Sequence, residues 1–60
     1  MTPFDRKLTS NVYFTVVNAI DHKLMTKAEG IEFVRNNKYC NELVKKRVIR
    51  LIEIHYLGKK

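Results

Sequence analysis

A capping box in the middle of the chain, at Thr26 to Glu29, constrains the fold more than any other feature of the sequence. In this pattern the threonine hydroxyl accepts a hydrogen bond from the third helical residue, and the glutamate carboxylate accepts one from the threonine N–H. The pattern predicts a helix from Lys27 to Asn36. Asn36 and Asn37 suit a left-handed exit from that helix, because asparagine tolerates positive φ.

The stretch before the capping box is predicted to form a helix from Asp5 to His22, with Thr2 as N-cap and Pro3 at the first helical position. At about 100° per residue, one half of this helix carries its apolar side chains, namely Leu8, Val12, Tyr13, Val16, Val17, Ala19, Ile20 and Leu24. Phe14 projects from the polar half, so we expect it to be partly exposed or to lie in a contact.

The stretch after the capping box is predicted to form a helix from Asn41 to Leu57, with Asn37 or Asn41 as N-cap and Gly58 as its end. Its apolar arc consists of Cys40, Leu43, Val44, Val48, Leu51, Ile52, Ile54 and His55. Ile49 and Tyr56 fall outside the arc and form a second apolar strip. A helix with two apolar sides contacts its own domain and a further body. We therefore expect a partner or dimer surface that consists of Phe14, Ile49, Ile52 and Tyr56.

These elements predict an all-α fold, in which residues 1–60 form a single three-helix domain that is dimeric and has a long basic C-terminal helix. Sixty residues support one core only. Gly30 in the second helix is favourable only where a neighbouring helix approaches closely. The β-branched runs at residues 12–17 and 48–57 leave a pair of strands open as an alternative.

Cysteine usage and hydropathy predict a cytoplasmic protein. Cys40 is the only cysteine, which excludes a disulfide within the chain and fits a reducing compartment. We expect that thiol to be a small packed hydrophobic group. The sequence has no secretory leader pattern and no apolar run near the ~18 residues of a membrane span, so no membrane association is expected.

Positive charge is concentrated in the last third of the sequence. From Lys38 onward, seven basic residues stand against two acidic ones, which accounts for five of the six net positive charges. Such a cluster on a helix favours contact with a phosphate backbone, DNA more than RNA. The predicted nucleic-acid-binding residues are Lys38, Asn41, Lys45, Lys46, Arg47, Arg50, Lys59 and Lys60.

Two arrangements of this basic helix remain open. In a helix-turn-helix, the exposed residues near its start would read base edges and the other cations would contact phosphates. The base-reading residues would be Asn41, Lys45, Lys46 and Arg47, and the phosphate contacts would be Lys38, Arg50, Lys59 and Lys60. However, the link from Asn36 to Asn41 is longer than the usual turn, so ordinary three-helix packing explains the pattern equally well. A solvated face is a further reading, with Lys46 and Arg50 partly neutralised by Glu42 and Glu53.

Protein binding is the alternative function. In that case an acidic or amphipathic partner would contact Ile49, Ile52, Tyr56 and Phe14, and the basic residues would steer the encounter. No catalytic, cofactor or metal motif is present. His22 and His55 have no carboxylate or cysteine at metal-ligand spacing. We therefore expect a non-enzymatic regulatory binding protein without catalytic residues, cofactor or metal.

One short segment is similar to a known family. The residues Asn37, Lys38 and Tyr39, followed by Asn41, Glu42 and Leu43, resemble a stretch in the Hha group of small helical nucleoid-associated modulators. The spacing between the two halves differs from that of the family. The resemblance agrees with a small regulator and implies no specific activity.

Overall fold

A computed structural model describes residues 2–58, which form three helices. These are α1 (Pro3–Asp21), α2 (Lys27–Arg35) and α3 (Glu42–Leu57). The predicted all-helical, three-helix fold is confirmed. Within the described range no helix is both long enough and apolar enough to cross a bilayer.

The two β-branched runs are helical, so the paired-strand alternative is wrong. Their buried side chains recur at intervals of four residues, as Val12 and Val16 do in α1 and Val48 and Ile52 do in α3. This spacing places side chains on one face of a helix and also on one face of a strand. Tyr13 and Ile49 beside them are half-buried against the same core, which fits the broader apolar stripe of a helix.

Each helix begins at a side-chain cap, and for α3 the cap is Asn41 rather than Asn37, the other asparagine that the sequence offered. The hydroxyl of Thr2 accepts from the N–H of Asp5 at 3.1 Å, and Pro3 occupies the first turn. Both hydrogen bonds of the capping box are formed. The N–H of Glu29 donates to the Thr26 hydroxyl at 3.1 Å, and the N–H of Thr26 donates to the Glu29 carboxylate at 2.8 Å. The side-chain oxygen of Asn41 caps α3 by accepting from Val44 at 2.9 Å. A cap of this kind stabilises a helix by about 1 kcal/mol.

The two connections differ from expectation in their backbone. Asn36 ends α2 with a φ of −93°, so the predicted left-handed exit is wrong. The side-chain oxygen of Asn37 instead accepts from the N–H of Tyr39 at 2.8 Å and turns the chain locally. Among the described residues other than glycine, Lys23 alone has positive φ, at 60°, in the turn between α1 and α2.

Small side chains from all three helices and the α2–α3 connection build the core. Its buried members are Val12, Val16, Val17, Val34, Cys40, Val44, Val48 and Ile52. Cys40 is packed among them, as the sequence predicts, and burial raises the pKa of its thiol while nearby Lys45 partly offsets the shift. At neutral pH the thiol is therefore protonated and serves as a core group.

Gly30 lies where α2 packs closely against α1. A Cβ atom at this position would lie 2.7 Å from Cγ1 of Val16 and 3.0 Å from Cδ1 of Ile20. Such distances are shorter than carbon atoms tolerate, and Gly30 is buried. The condition under which a glycine is favourable here, a closely packed neighbouring helix, is therefore met.

Helices α1 and α3 run in the same direction, and α2 returns the chain between them. Three side-chain hydrogen bonds between α1 and the chain from Asn41 onward follow in order along both: Asp5 to Asn41 at 3.4 Å, Tyr13 to His55 at 3.1 Å and Asp21 to Tyr56 at 2.8 Å. The first turns of α1 and α3 are therefore neighbours. This arrangement brings basic residues of both helices together.

Candidate functional site

A depression between α1 and the first half of α3, here named the basic groove, carries arginines from both helices. Arg6 belongs to α1 and Arg47 to α3. The groove is lined by Arg6, Thr9, Ser10, Leu43, Arg47 and Leu51. A second depression on α1 shares Arg6 and Ser10 and adds Lys7. No carboxylate lines either depression.

The cations of the basic groove form no ion pair with another residue in the part of the chain that the structure describes. Within residues 2–58 the ion pairs are Arg35 with Glu32 at 3.3 Å and Lys45 with Glu42 at 4.0 Å. Neither pair involves a residue of the groove. Arginine forms bidentate bonds with phosphate and remains charged at every physiological pH. The groove therefore presents fixed positive charge that can bind an anion.

The rest of the groove lining consists of two hydroxyl side chains, Thr9 and Ser10, and two leucines. The Thr9 hydroxyl is buried and donates to the backbone carbonyl of Asp5 at 2.7 Å, so it belongs to the fold. Ser10 is exposed, and its hydroxyl faces solvent one residue further along α1. Leu51 is half-buried, whereas Leu43 is 61% exposed. Hydroxyl and arginine side chains are frequent ligands of nucleic-acid phosphates.

A second surface, here named the outer face, lies on the side of α3 turned away from the core. It consists of Lys46, Ile49, Arg50, Glu53, Ile54 and Leu57. Ile54 is 55% exposed and Leu57 is 83% exposed. The anticipated neutralising pairs are absent among the described residues, because Glu42 approaches Lys45 rather than Lys46 and Glu53 forms no ion pair with Arg50.

The predicted partner surface is largely part of the core, which corrects the sequence-based expectation. Ile52 is fully buried and cannot contact a partner. Ile49 and Tyr56 pack against the core, and the Tyr56 hydroxyl donates to Asp21 at 2.8 Å. Of the four predicted residues, Phe14 alone projects outward, with 60% of its surface exposed. Its ring meets the Tyr13 ring edge to face, with 5.4 Å between the two ring centroids. The apolar side chains that α3 exposes are Leu43, Ile54 and Leu57.

The predicted nucleic-acid-binding residues separate into several groups. Asn41 acts as the α3 cap, and the Lys45 side chain is only 22% exposed beside Glu42. Lys38 is exposed in the α2–α3 connection. Arg47 lines the basic groove, whereas Lys46 and Arg50 lie on the outer face. Lys59 and Lys60 lie outside the described residues.

Arg6 and Lys7 are the cations that the sequence reasoning omits. They lie about forty residues before Arg47 in the sequence. The parallel arrangement of α1 and α3 brings Arg6 into the same groove as Arg47, and Lys7 lies in the adjoining depression with Arg6. The structure thus replaces one basic helix with a surface shared by two.

Aromatic side chains join α1 and α3 at the end opposite the basic groove. The Tyr13 hydroxyl and His55 Nδ1 are 3.1 Å apart, and the His55 and Tyr56 rings meet edge to face at 4.7 Å. Burial raises the pKa of Tyr56 to about 12, helped by the hydrogen bond to Asp21 and by the charge of that carboxylate. Tyr56 therefore remains a neutral donor. Among residues 2–58, no three histidine, cysteine or acidic side chains are grouped to hold a metal.

The fold and its two surfaces define a small three-helix domain with a basic groove on one side of α3 and a mixed apolar and charged face on the other. Comparison with known proteins gives no closer assignment. No model of a known protein family, no curated protein and no solved structure matches the chain. The function is therefore argued from the chemistry of the two surfaces.

Proposed function

We propose that this protein is a non-enzymatic nucleic-acid-binding regulator that contacts the phosphate backbone through its basic groove. The observation that carries the proposal is that Arg6 and Arg47, from two helices, line one groove without a carboxylate. Lys7 extends this positive surface along α1. Each cation that meets a phosphate releases condensed counterions, which supplies most of the free energy of sequence-independent binding.

Duplex DNA is the proposed form of nucleic acid. Proteins that bind single strands usually stack successive bases on aromatic side chains. The exposed aromatic side chains here are Phe4, Phe14, Phe33 and Tyr39, and none of them lines the basic groove. Phe4 alone lies in the adjoining depression with Arg6 and Lys7, and a single ring offers no row on which successive bases could stack. A groove of arginines and a serine hydroxyl instead suits backbone contact along a duplex. The geometry supports positioning on phosphates, and base reading by Asn41 and Lys45 is no longer part of the proposal.

A matched pair of double variants tests this function. Arg6→Ala with Arg47→Ala removes two cations from the basic groove, and Lys46→Ala with Arg50→Ala removes two from the outer face. We expect the groove variant to bind a labelled duplex about ten- to a hundredfold more weakly at low salt, as the loss of two phosphate contacts implies. The outer-face variant should bind about as well as the unsubstituted chain, since its lost charges lie outside the groove.

Fluorescence anisotropy and gel retardation are suitable measurements, with the same oligonucleotide as duplex, single strand and RNA duplex. A lack of binding by the unsubstituted protein at low salt would reject nucleic-acid binding. Equal losses in both double variants would assign binding to the overall charge of the chain. Preference for the single strand would overturn the choice of duplex.

Protein binding is the second candidate function, and exposed apolar surface favours it. Large apolar side chains that are exposed include Phe4, Phe14, Leu24, Phe33, Tyr39, Leu43, Ile54 and Leu57. Of these, Ile54 and Leu57 share the outer face, where a partner would gain most from contact.

A further inference from the structure

We infer that the outer face of α3 docks an acidic amphipathic helix of a partner protein. This inference rests on the second candidate function and is independent of nucleic-acid binding. The face extends from Lys46 to Leu57, which is about 16 Å along the helix axis at 1.5 Å per residue. A partner helix of about three turns has the same length. Its apolar side would lie against α3 and its acidic residues beside the lysine and arginine.

The apolar part of the outer face has the spacing of a helix-docking surface. Ile54 and Leu57 are three residues apart, so they lie side by side on consecutive turns. Ile49 borders them and is half-buried, with its inner side packed against the core. It therefore holds its position without a partner. Amphipathic helices bind such surfaces through apolar side chains at intervals of three and four residues.

The charged residues of the outer face favour a partner of negative charge. Lys46 and Arg50 stand one turn apart on the face, and Glu53 is the single acid beside them. None of these three side chains forms an ion pair within residues 2–58. The face therefore has a net positive charge, and a partner with acidic residues next to its apolar side would supply the missing counter-charges.

A second copy of the chain is a poorer occupant than an acidic helix. Each chain carries a net charge of +6, and pairing two outer faces would bring two copies of Lys46 and Arg50 together with only two copies of Glu53. Like charges that meet across an interface oppose association. An anionic membrane would meet Glu53 in the middle of the face, where a carboxylate opposes insertion between lipid headgroups.

Two synthetic peptides provide the test. The first is a helical peptide of about 16 residues with leucines three and four apart and glutamates beside them; the second has lysine in place of each glutamate. We expect the acidic peptide to bind in fluorescence anisotropy and the basic peptide to bind at least about tenfold more weakly. Added salt should narrow the difference, because the selective charges are partly exposed.

Variants of the protein identify the surface. Arg50→Glu should weaken the acidic peptide about tenfold and improve the basic one, since the charge of the face is then reversed. Leu57→Ser should weaken the acidic peptide about fivefold or more. Leu24→Ser is the matched control, because Leu24 is 79% exposed but lies in the α1–α2 turn. Binding by the control should be unchanged.

Several outcomes would overturn the inference. Equal binding of the two peptides, or equal loss in the Leu57→Ser and Leu24→Ser variants, would show that no selective docking face exists. A dimer in sedimentation that Leu57→Ser dissociates would assign the face to a second copy. Binding to phosphatidylserine vesicles that the same substitution abolishes would assign it to a membrane. Duplex binding is scored on the groove variants, so either function can fail while the other stands.

Discussion

The basic groove and the outer face both use α3, yet they differ in how their charges are arranged. In the groove, Arg47 faces a second helix that adds Arg6, and no acid is present. On the outer face, Lys46 and Arg50 share one helix with Glu53 and exposed isoleucine and leucine. The neighbouring helix thus determines what similar cations can bind. Converging arginines suit phosphate, whereas dispersed cations among apolar groups suit protein.

The largest effect should come from the core residue beneath both surfaces. Ile52 is fully buried, so Ile52→Ala should lower the free energy of unfolding by about 2–5 kcal/mol. Ile54→Ala is the matched control, since Ile54 belongs to the same helix but is 55% exposed; its change should remain within about 0.5 kcal/mol. Urea denaturation followed by circular dichroism measures both. Comparable losses would mean that the two isoleucines do not differ in burial.

A smaller effect is expected from α2, which contributes to neither surface. Gly30→Ala adds a methyl group 2.7 Å from Cγ1 of Val16. Overpacking typically costs about 1–3 kcal/mol, and the better helix propensity of alanine returns up to about 1 kcal/mol. The net result should be a loss of about 1–2 kcal/mol in urea denaturation. At urea concentrations below the unfolding transition, the variant should still bind the peptide and the duplex. A stabilised variant would show that α2 can move away from α1 without penalty.

Single charge removals sharpen the comparison in solution. Arg6→Ala should reduce the slope of log binding constant against log salt by about 0.9, the value for one lost phosphate contact. Lys46→Ala removes the same charge from the outer face and should leave the slope nearly unchanged. Measuring duplex affinity over a range of salt concentrations gives the slope for each variant. If Lys46→Ala changes the slope as much, phosphates reach beyond the groove.

The smallest effect concerns the far end of α3, near Leu57. Tyr56→Phe removes the hydrogen bond to Asp21 and should lower stability at pH 7 by less than about 1 kcal/mol, because the bond is solvent-exposed. The folded pKa of Tyr56 is raised to about 12, above the usual value of about 10, so this contribution is complete below pH 10 and is lost as the pH rises through 12.

Denaturation at a series of pH values checks this last prediction. The stability difference between the unsubstituted chain and Tyr56→Phe should shrink between pH 10 and 12. A difference that grows over that range would contradict the assigned donor role. Acidic-peptide affinity should decrease slightly in the variant and duplex affinity should not, because the groove lies at the other end of α3.

Local chemistry explains why the helix starts were predictable. Thr2 with Pro3, Thr26 with Glu29, and Asn41 each satisfy backbone N–H groups within a few residues of themselves. Such signals need no knowledge of the tertiary fold. Gly30 gave a weaker signal of the same local kind, since a glycine inside a helix is unfavourable unless a neighbouring helix packs closely against it, and the sequence alone left both cases open.

The site was less predictable because it depends on how the helices pack. Periodicity places Ile52 and Ile54 on a helix but leaves open how far each is covered by neighbours, and only the structure separates the buried residue from the exposed one. The place of Arg6 in the basic groove could not be predicted, because it depends on the parallel packing of α1 and α3. The predicted left-handed backbone at Asn36 was wrong because asparagine tolerates positive φ but also adopts negative φ, as it does here.

The parallel arrangement of α1 and α3 also decides how the protein should be labelled. The chain enters α1 at Thr2, close to the cations of the basic groove, and leaves α3 at Gly58, next to Leu57 on the outer face. A bulky tag or dye joined at the first end would therefore shield the proposed duplex-binding surface, and one joined at the second end would shield the proposed peptide-binding surface. Each binding assay needs the label at the opposite end.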